Sequence, residues 1–557
     1  MKMRLKLLTK AILAVGLLFS FPVLLQAQSD SDAKAPATRT YAVKNATIVQ
    51  APGKVIEGGT VLIKDGLITA VGKNVTVPAG TFEIDGSDMF VYPGFIDGLT
   101  HNGVKSYENP ERPRDLKPNN PPNNIAGITP ENTVLDNIDL GAKAMEDMRK
   151  AGFTVAQVAP QGRMLPGSNA VILYADKATS DQLVLKNNSA LFAQFQGGQG
   201  VYPGTVIAVM AKWRELYTNA ENQMQNESVY ASNSTGINRP TKNRTLEAFY
   251  PIINKQYPIT FHAADQLDVR RALSLKDEFG FDLVIANMKD GWGLINDIKA
   301  SNAKVLLSMD LPEEKEASKD AKDEAKAREE RRAEFYNKYV SQAAEYEKAG
   351  IKFGFSSLSG NASSLKKNLR IMTENGLSET AALTALTTTP AEMLGLSNRI
   401  GSIDQGKIAN LVISTGNYFS KDSDVRYVFV DGIMYEYEAR PAKANGGGPA
   451  AEIDGRWNYK TETPMGSSEG ELNFTNNNGS YEGTMTMPMA GPDPLPLSNI
   501  EVDGPNLSFD ISMNMGGQTI GLTISGTVTG NEFKGMMDTG QFGSFGLTAV
   551  KNPGNSK

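Results

Sequence analysis

The order of apolar and polar positions divides the chain into stretches of different period. From Tyr41 to Phe90, short apolar runs alternate with turn signals: Tyr41–Val49, Gly58-Gly59, Thr60–Ile63, Lys64-Asp65-Gly66 and Leu67–Val71. Runs of this length bounded by Gly and Asp-Gly predict short strands and a hairpin. Phe90–Asp97 predicts a buried strand ending in polar residues. From about 130 to 395 the pattern changes. Helical spacing over Asp136–Ala151, Ala264–Phe279, Asp290–Ala300 and Ser378–Leu394 alternates with strand-like Gly152–Ala159, Pro258–His262, Asp282–Ala286, Lys304–Ser308 and Ile351–Phe355. Such alternation predicts an α/β fold with a parallel sheet, a TIM-like (β/α)8 barrel over 91–395 being the economical choice. The mixed-sign run Glu313–Arg332 predicts an exposed helix laced with i,i+4 pairs.

After Leu394 the β pattern returns in Arg399–Asp404, Ala409–Ile413 and Val425–Val430, with a turn at Asp431-Gly432. Segments 41–90 and 396–440 are therefore expected to build one discontinuous, composite β-sandwich around the barrel. A Gly-rich linker is expected over 441–451. Over 452–557 short strands recur with glycine punctuation and no helical stretch, which predicts an appended C-terminal all-β domain, a small antiparallel barrel or sandwich. Met485, Met487, Met489, Met513, Met515, Met536 and Met537 lie in it, compatible with gap-filling core packing or with a methionine-lined ligand cleft.

The N-terminus has a different character. Lys2, Arg4, Lys6 and Lys10 precede the apolar run Ala11–Leu25, and Ala27 offers a small residue for cleavage. This reads as a signal peptide over 1–27, followed by a polar, disordered leader over 28–40, and implies a periplasmic or secreted protein with no membrane attachment after cleavage.

Composition narrows the chemistry. The chain has 557 residues, no cysteine and two histidines. Disulfides, thiolate metal sites and cysteine nucleophiles are excluded, as is any site needing three imidazoles from one chain. A net charge of −6 gives nucleic acid no basic face to bind. No phosphate-binding loop, dinucleotide fingerprint or serine-hydrolase elbow is present; Gly197-Gly-Gln-Gly200 lacks the helix entry that phosphate binding requires. The loop Pro118–Pro122 is expected near the barrel mouth, as a lid or an ordinary crossover.

Several motifs together resemble the metal-dependent amidohydrolase superfamily: the β module of 41–90, Pro93-Gly-Phe-Ile-Asp97 followed by His101, and Ala382–Ile413 with Thr388-Thr389-Pro390, Ile400-Gly401-Ser402 and Gly406-Lys407. Gly152–Ile172, with Pro160, Gly162 and Gly167, is similar to the imidazolonepropionase-related branch. The likeness covers roughly 41–435. It implies a hydrolase of non-peptide C–N bonds, including cyclic amides, acting on a small molecule at the barrel mouth. It also implies zinc or a similar divalent metal that activates a water held by histidines of the first, fifth and sixth strands and an aspartate after the last.

This chain keeps part of that set. His101 stands where the second histidine of the first strand belongs, and His262 where the fifth-strand histidine belongs. Leu99, Asn287 and Leu358 stand at the positions of the missing ligands. The resemblance thus implies a reduced metal site of His101 and His262, with Asp97 beside them as a third catalytic candidate. Asp97 could equally cap its loop. Lys212 is the one lysine to weigh for a bridging role, against a surface position. Two readings follow: a hydrolase with an altered site, or a non-catalytic relative that binds a ligand, forms a homo-oligomer or pairs with a catalytic relative.

Overall fold

The computed structural model describes residues 39–552 except 140–142, 177–178, 313–322, 359–361, 438–450, 464–465, 478–479, 489–490, 492, 516–517 and 540–543. The expected signal peptide, nearly all of the leader, the first half of the charged run and nearly all of the linker lie outside the described residues.

Two distant segments meet in one sheet. Strands β1 (Thr40–Ala51), β2 (Lys54–Lys64), β3 (Leu67–Gly72), β4 (Phe82–Asp85) and β5 (Phe90–Pro93) join β14 (Leu411–Ser414), β15 (Val425–Val430) and β16 (Ile433–Glu436). Their order is β16-β15-β14-β5-β1-β2-β3, with β4 also on β1. The β5–β14 ladder, Pro93 opposite Leu411 to Phe90 opposite Ser414, joins the segments on either side of the barrel. The sheet folds over its own core. Tyr41 of β1 meets Phe429 of β15 edge-on at 5.1 Å, although these strands are not neighbours in the sheet.

The barrel sheet runs β6 (Phe95–Thr100), β7 (Phe153–Val158), β8 (Gly167–Leu173), β9 (Val184–Gln194), β10 (Ile259–His262), β11 (Leu283–Met288), β12 (Lys304–Ser308) and β13 (Phe353–Ser356), paired in that order. Seven strands are parallel. β8 is antiparallel to both neighbours, a departure from the simple strand–helix alternation. The connection 159–166 is too short for a helical crossover, so the chain turns back as a hairpin. Helices α1 (Lys143–Lys150), α2 (Val206–Ser232), α3 (Gln266–Phe279), α4 (Ile295–Ser301), α5 (Asp323–Lys348) and α6 (Ala362–Glu374) lie along the barrel part of the chain. The single helix expected over Ser378–Leu394 is instead two, α7 (Glu379–Leu386) and α8 (Thr388–Leu394), broken at Thr387 with φ −131° and ψ −78°. Pro390 supplies the reason: it has no N–H, and its ring excludes a helical carbonyl four residues earlier.

The C-terminal strands β17 (Gly455–Thr463), β18 (Gly466–Asn477), β19 (Ser480–Met485), β20 (Leu495–Asp503), β21 (Asn506–Met515), β22 (Gln518–Thr529), β23 (Glu532–Asp538) and β24 (Ser544–Lys551) form a closed antiparallel barrel in sequence order. Its interior is filled by side chains, as eight strands allow. Met485, Met487, Met513 and Met537 pack there among Trp457, Phe474, Phe509 and Phe533.

Candidate functional site at the barrel mouth

Parallel strands end together, so residues at their C-terminal ends converge on one mouth. His101 follows β6 directly, and His262 is the last residue of β10, level with Gln194 of β9 and Ala286 of β11. Both imidazoles are partly exposed and lie within electrostatic reach of each other.

Their tautomers follow from their partners. His101 Nδ1 lies 2.8 Å from the Ala159 carbonyl, which only accepts, so Nδ1 carries the proton and Nε2 a lone pair. His262 Nε2 lies 3.2 Å from the amide nitrogen of Asn287, which only donates, so Nε2 accepts and Nδ1 carries the proton. Burial holds His101 below the ordinary imidazole value, against its bond to Ala159. Burial also lowers His262 to about 4, aided by His101 and Lys289 and opposed by Asp265. Both rings are therefore neutral at pH 7. Lys289 is ion-paired with Asp310 at 2.5 Å, which offsets its charge, and Asp265 at the N-cap of α3 is a further acidic group acting on His262.

Asp97 does not join the histidines. It is fully buried, and its Oδ1 accepts from the amides of Ser357 at 3.0 Å and Leu99 at 3.3 Å, while Oδ2 accepts from Ser357 Oγ. Burial raises the carboxyl to about 7, more than these hydrogen bonds lower it. Tyr174, buried near Thr100 and Asn102, is raised well above its ordinary value by burial and then by the Asp97 charge.

The three residues at the expected ligand positions have other roles. Leu99 belongs to a buried cluster with Ala159, Phe192, Val284, Ala286 and Leu306, and Leu358 packs against it. Asn287, in a left-handed conformation at φ 57°, orients His262. Asparagine tolerates this region better than most residues, which is the signal the sequence carried for it. Lys212 sits on α2, paired with Glu215 at 2.7 Å, and has no bridging geometry at the mouth. Ser356, Ser357 and Thr100, which enclose Asp97, escaped sequence reasoning; the sole hint was a polar Ser-Ser pair closing an apolar strand.

The donor set does not fit a divalent metal. Among the described residues, Asn287 engages the His262 lone pair and Asp97 has both oxygens hydrogen-bonded inside the wall, which leaves His101 Nε2 as the histidine nitrogen open to ligation. Among the described residues no group of three or more His, Cys, Asp or Glu side chains could hold a metal ion.

Residues 253–434 match a model of the amidohydrolase family. An amidohydrolase from Thermotoga maritima MSB8 superposes with a TM-score of 0.59 at 22% identity, covering 72% of this chain and 100% of that one, a likeness of fold. A prolidase solved with N-methylphosphonate-L-proline has a TM-score of 0.43 at 17% identity, covering 72% of this chain and 100% of its own. Molinate hydrolase has a TM-score of 0.40 at 13% identity, covering 72% and 94% respectively. No curated protein matches the chain.

Proposed function

We propose, from the premise that the chain belongs to the amidohydrolase superfamily of hydrolases, that it is an exported member with its metal site reduced to two imidazoles. It takes a small amide or related C–N compound at the barrel mouth without metal-dependent hydrolysis. The observation that carries this reading is the pair of opposed tautomers. His262 Nδ1–H offers a donor and His101 Nε2 an acceptor. A neutral amide presents the complementary carbonyl and N–H. Neutral imidazoles suit an uncharged ligand, because a charged group leaving water beside them would gain no ion pair from either ring. Export rests on the basic and apolar N-terminal pattern of residues 1–27.

The test is metal analysis of the purified protein, followed by a binding and hydrolysis screen of amides, lactams and dipeptides with and without zinc or manganese. We expect no stoichiometric metal, and amide binding that weakens in His101→Ala and His262→Ala. Stoichiometric metal lost in those variants, with metal-dependent turnover, would overturn the reading.

A second reading, C–N hydrolysis by the imidazoles alone, draws on their electrostatic contact. His101 Nε2 would take a proton from the water that attacks the carbonyl carbon and return it to the nitrogen as the C–N bond breaks, while His262 Nδ1–H hydrogen-bonds the carbonyl oxygen as it gains charge. Bases held below their ordinary pKa serve this chemistry poorly. Turnover in the metal-free screen that both alanine variants abolish would establish it.

A further inference from the structure

Seven of the eight junctions around the barrel are backbone ladders, and the eighth, between β13 and β6, is not: among the described residues no strand pairing joins these two. Side chains join them instead. Ser357 donates its backbone N–H to Asp97 Oδ1 at 3.0 Å and its hydroxyl to Oδ2. Ser356 Oγ donates to the Leu99 carbonyl at 2.7 Å and accepts from the Leu358 amide at 3.2 Å. Ser357 Oγ and Thr100 Oγ1 lie 3.0 Å apart, and Thr100 Oγ1 accepts from the Asn102 amide at 3.1 Å. All four residues that make the cross-links through side chains (Asp97, Thr100, Ser356 and Ser357) are at most 2% exposed.

The backbones are close enough that this arrangement depends on a missing side chain. A Cβ on Gly98 would fall 2.7 Å from the Phe355 carbonyl and 2.5 Å from Leu306 Cδ2. Leu306 reaches into this notch, and a Cβ on Gly354 would also stand only 2.9 Å from it. The junction is thus packed, buried and hydrogen-bonded, yet among the described residues every bond across it involves a side chain.

We propose that Asp97, Ser356 and Ser357 form a clasp that closes the barrel without metal, and that the β6–β13 seam is the joint at which the barrel opens. A ladder residue keeps its bonds whatever its side chain is, whereas this seam has no backbone reserve. Loss of one hydroxyl leaves a buried acceptor unpaired and releases both strand edges together. Opening there would expose the Leu99 and Leu358 packing beneath the mouth, so the clasp also sets the depth of the site. This inference does not depend on what ligand the mouth takes.

Hydrogen exchange on the full-length protein tests it without any variant. Seam-facing amides of β6 and β13 should exchange at least about tenfold faster than ladder amides of β10 and β11, and neither zinc nor a chelator should change either rate. In Ser356→Ala and Ser357→Ala the seam amides should speed up by about another tenfold, the effect of losing one buried hydrogen bond, with β10 and β11 unmoved. Ser357→Thr, which keeps the hydroxyl, should restore most of the protection. Seam amides protected like those of β10 in the native protein would refute the opening joint. A chelator that deprotects the seam would refute the metal-free clasp. Serine variants that exchange uniformly across the barrel would refute the local role.

Discussion

Replacing Asp97 by asparagine should stabilise the barrel at alkaline pH. The native carboxyl is fully buried, has no cation among its described partners, and is raised from 3.8 to about 7. A group whose folded-state value exceeds its unfolded value keeps its proton in the fold. Stability is therefore lost as pH rises from about 4 to about 7, and the full cost is present above that window. At about 1.4 kcal/mol per unit, a displacement of roughly three units is worth about 4 kcal/mol. Asparagine has the same shape and no charge. Its Oδ1 can accept from Ser357 N and Leu99 N, and its Nδ2 can donate to Ser357 Oγ, which then donates to Thr100 Oγ1 at 3.0 Å. Every partner is retained. Asp97→Asn should unfold at higher urea than the parent at pH 8, by up to about 4 kcal/mol, and the advantage should vanish near pH 4. Both proteins would carry Trp457→Phe, so that fluorescence reports Trp213 and Trp292 of the larger barrel and not the C-terminal one. An Asp97→Asn protein less stable than the parent at pH 8, or a parent indifferent to pH between 4 and 7, would falsify the claim that this carboxyl is costly when charged.

The remaining predictions address other parts of the molecule. His262, held at about 4, should make the fold acid-sensitive: its stability contribution is present above about 6.5 and lost as pH falls to about 4, by up to about 3 kcal/mol, so His262→Gln should flatten the acid limb of the unfolding curve. Asn287→Asp should accept from His262 Nε2, reverse that ring's tautomer and raise its pKa, visible in imidazole nitrogen shifts; an unmoved titration would place Asn287 outside the interaction. Leu99→Ala should cost about 2–5 kcal/mol, measured by urea unfolding, because its side chain is fully buried. Trp457→Ala should unfold the C-terminal barrel preferentially, costing about 3–5 kcal/mol, with exchange protection in β10 and β11 retained.

Much of the fold was readable from the chain. Period-two runs with Gly and Asp-Gly turns marked the strands on both sides of the barrel and in the C-terminal domain, and longer amphipathic runs marked α3 and the helices around it. The reading failed where a tertiary constraint outweighed local pattern. β8 looks like any apolar strand, and only the short connection 159–166 forces it antiparallel. Thr387 interrupts a helical pattern because of a proline three residues on.

At the site, the sequence by itself determined the inventory: two imidazoles, no thiol, and apolar or amide side chains at three positions where the family resemblance called for ligands. Inventory sets which donors exist, since no fold can add a histidine. It does not set which lone pairs remain free. That was decided by tertiary structure, which directs Asn287 at His262, fills the space around Leu99, and brings Ser357 to Asp97 across 260 residues of chain. Hydrogen-bond direction and burial depend on what surrounds a group in space, and neither is written in its neighbours along the sequence.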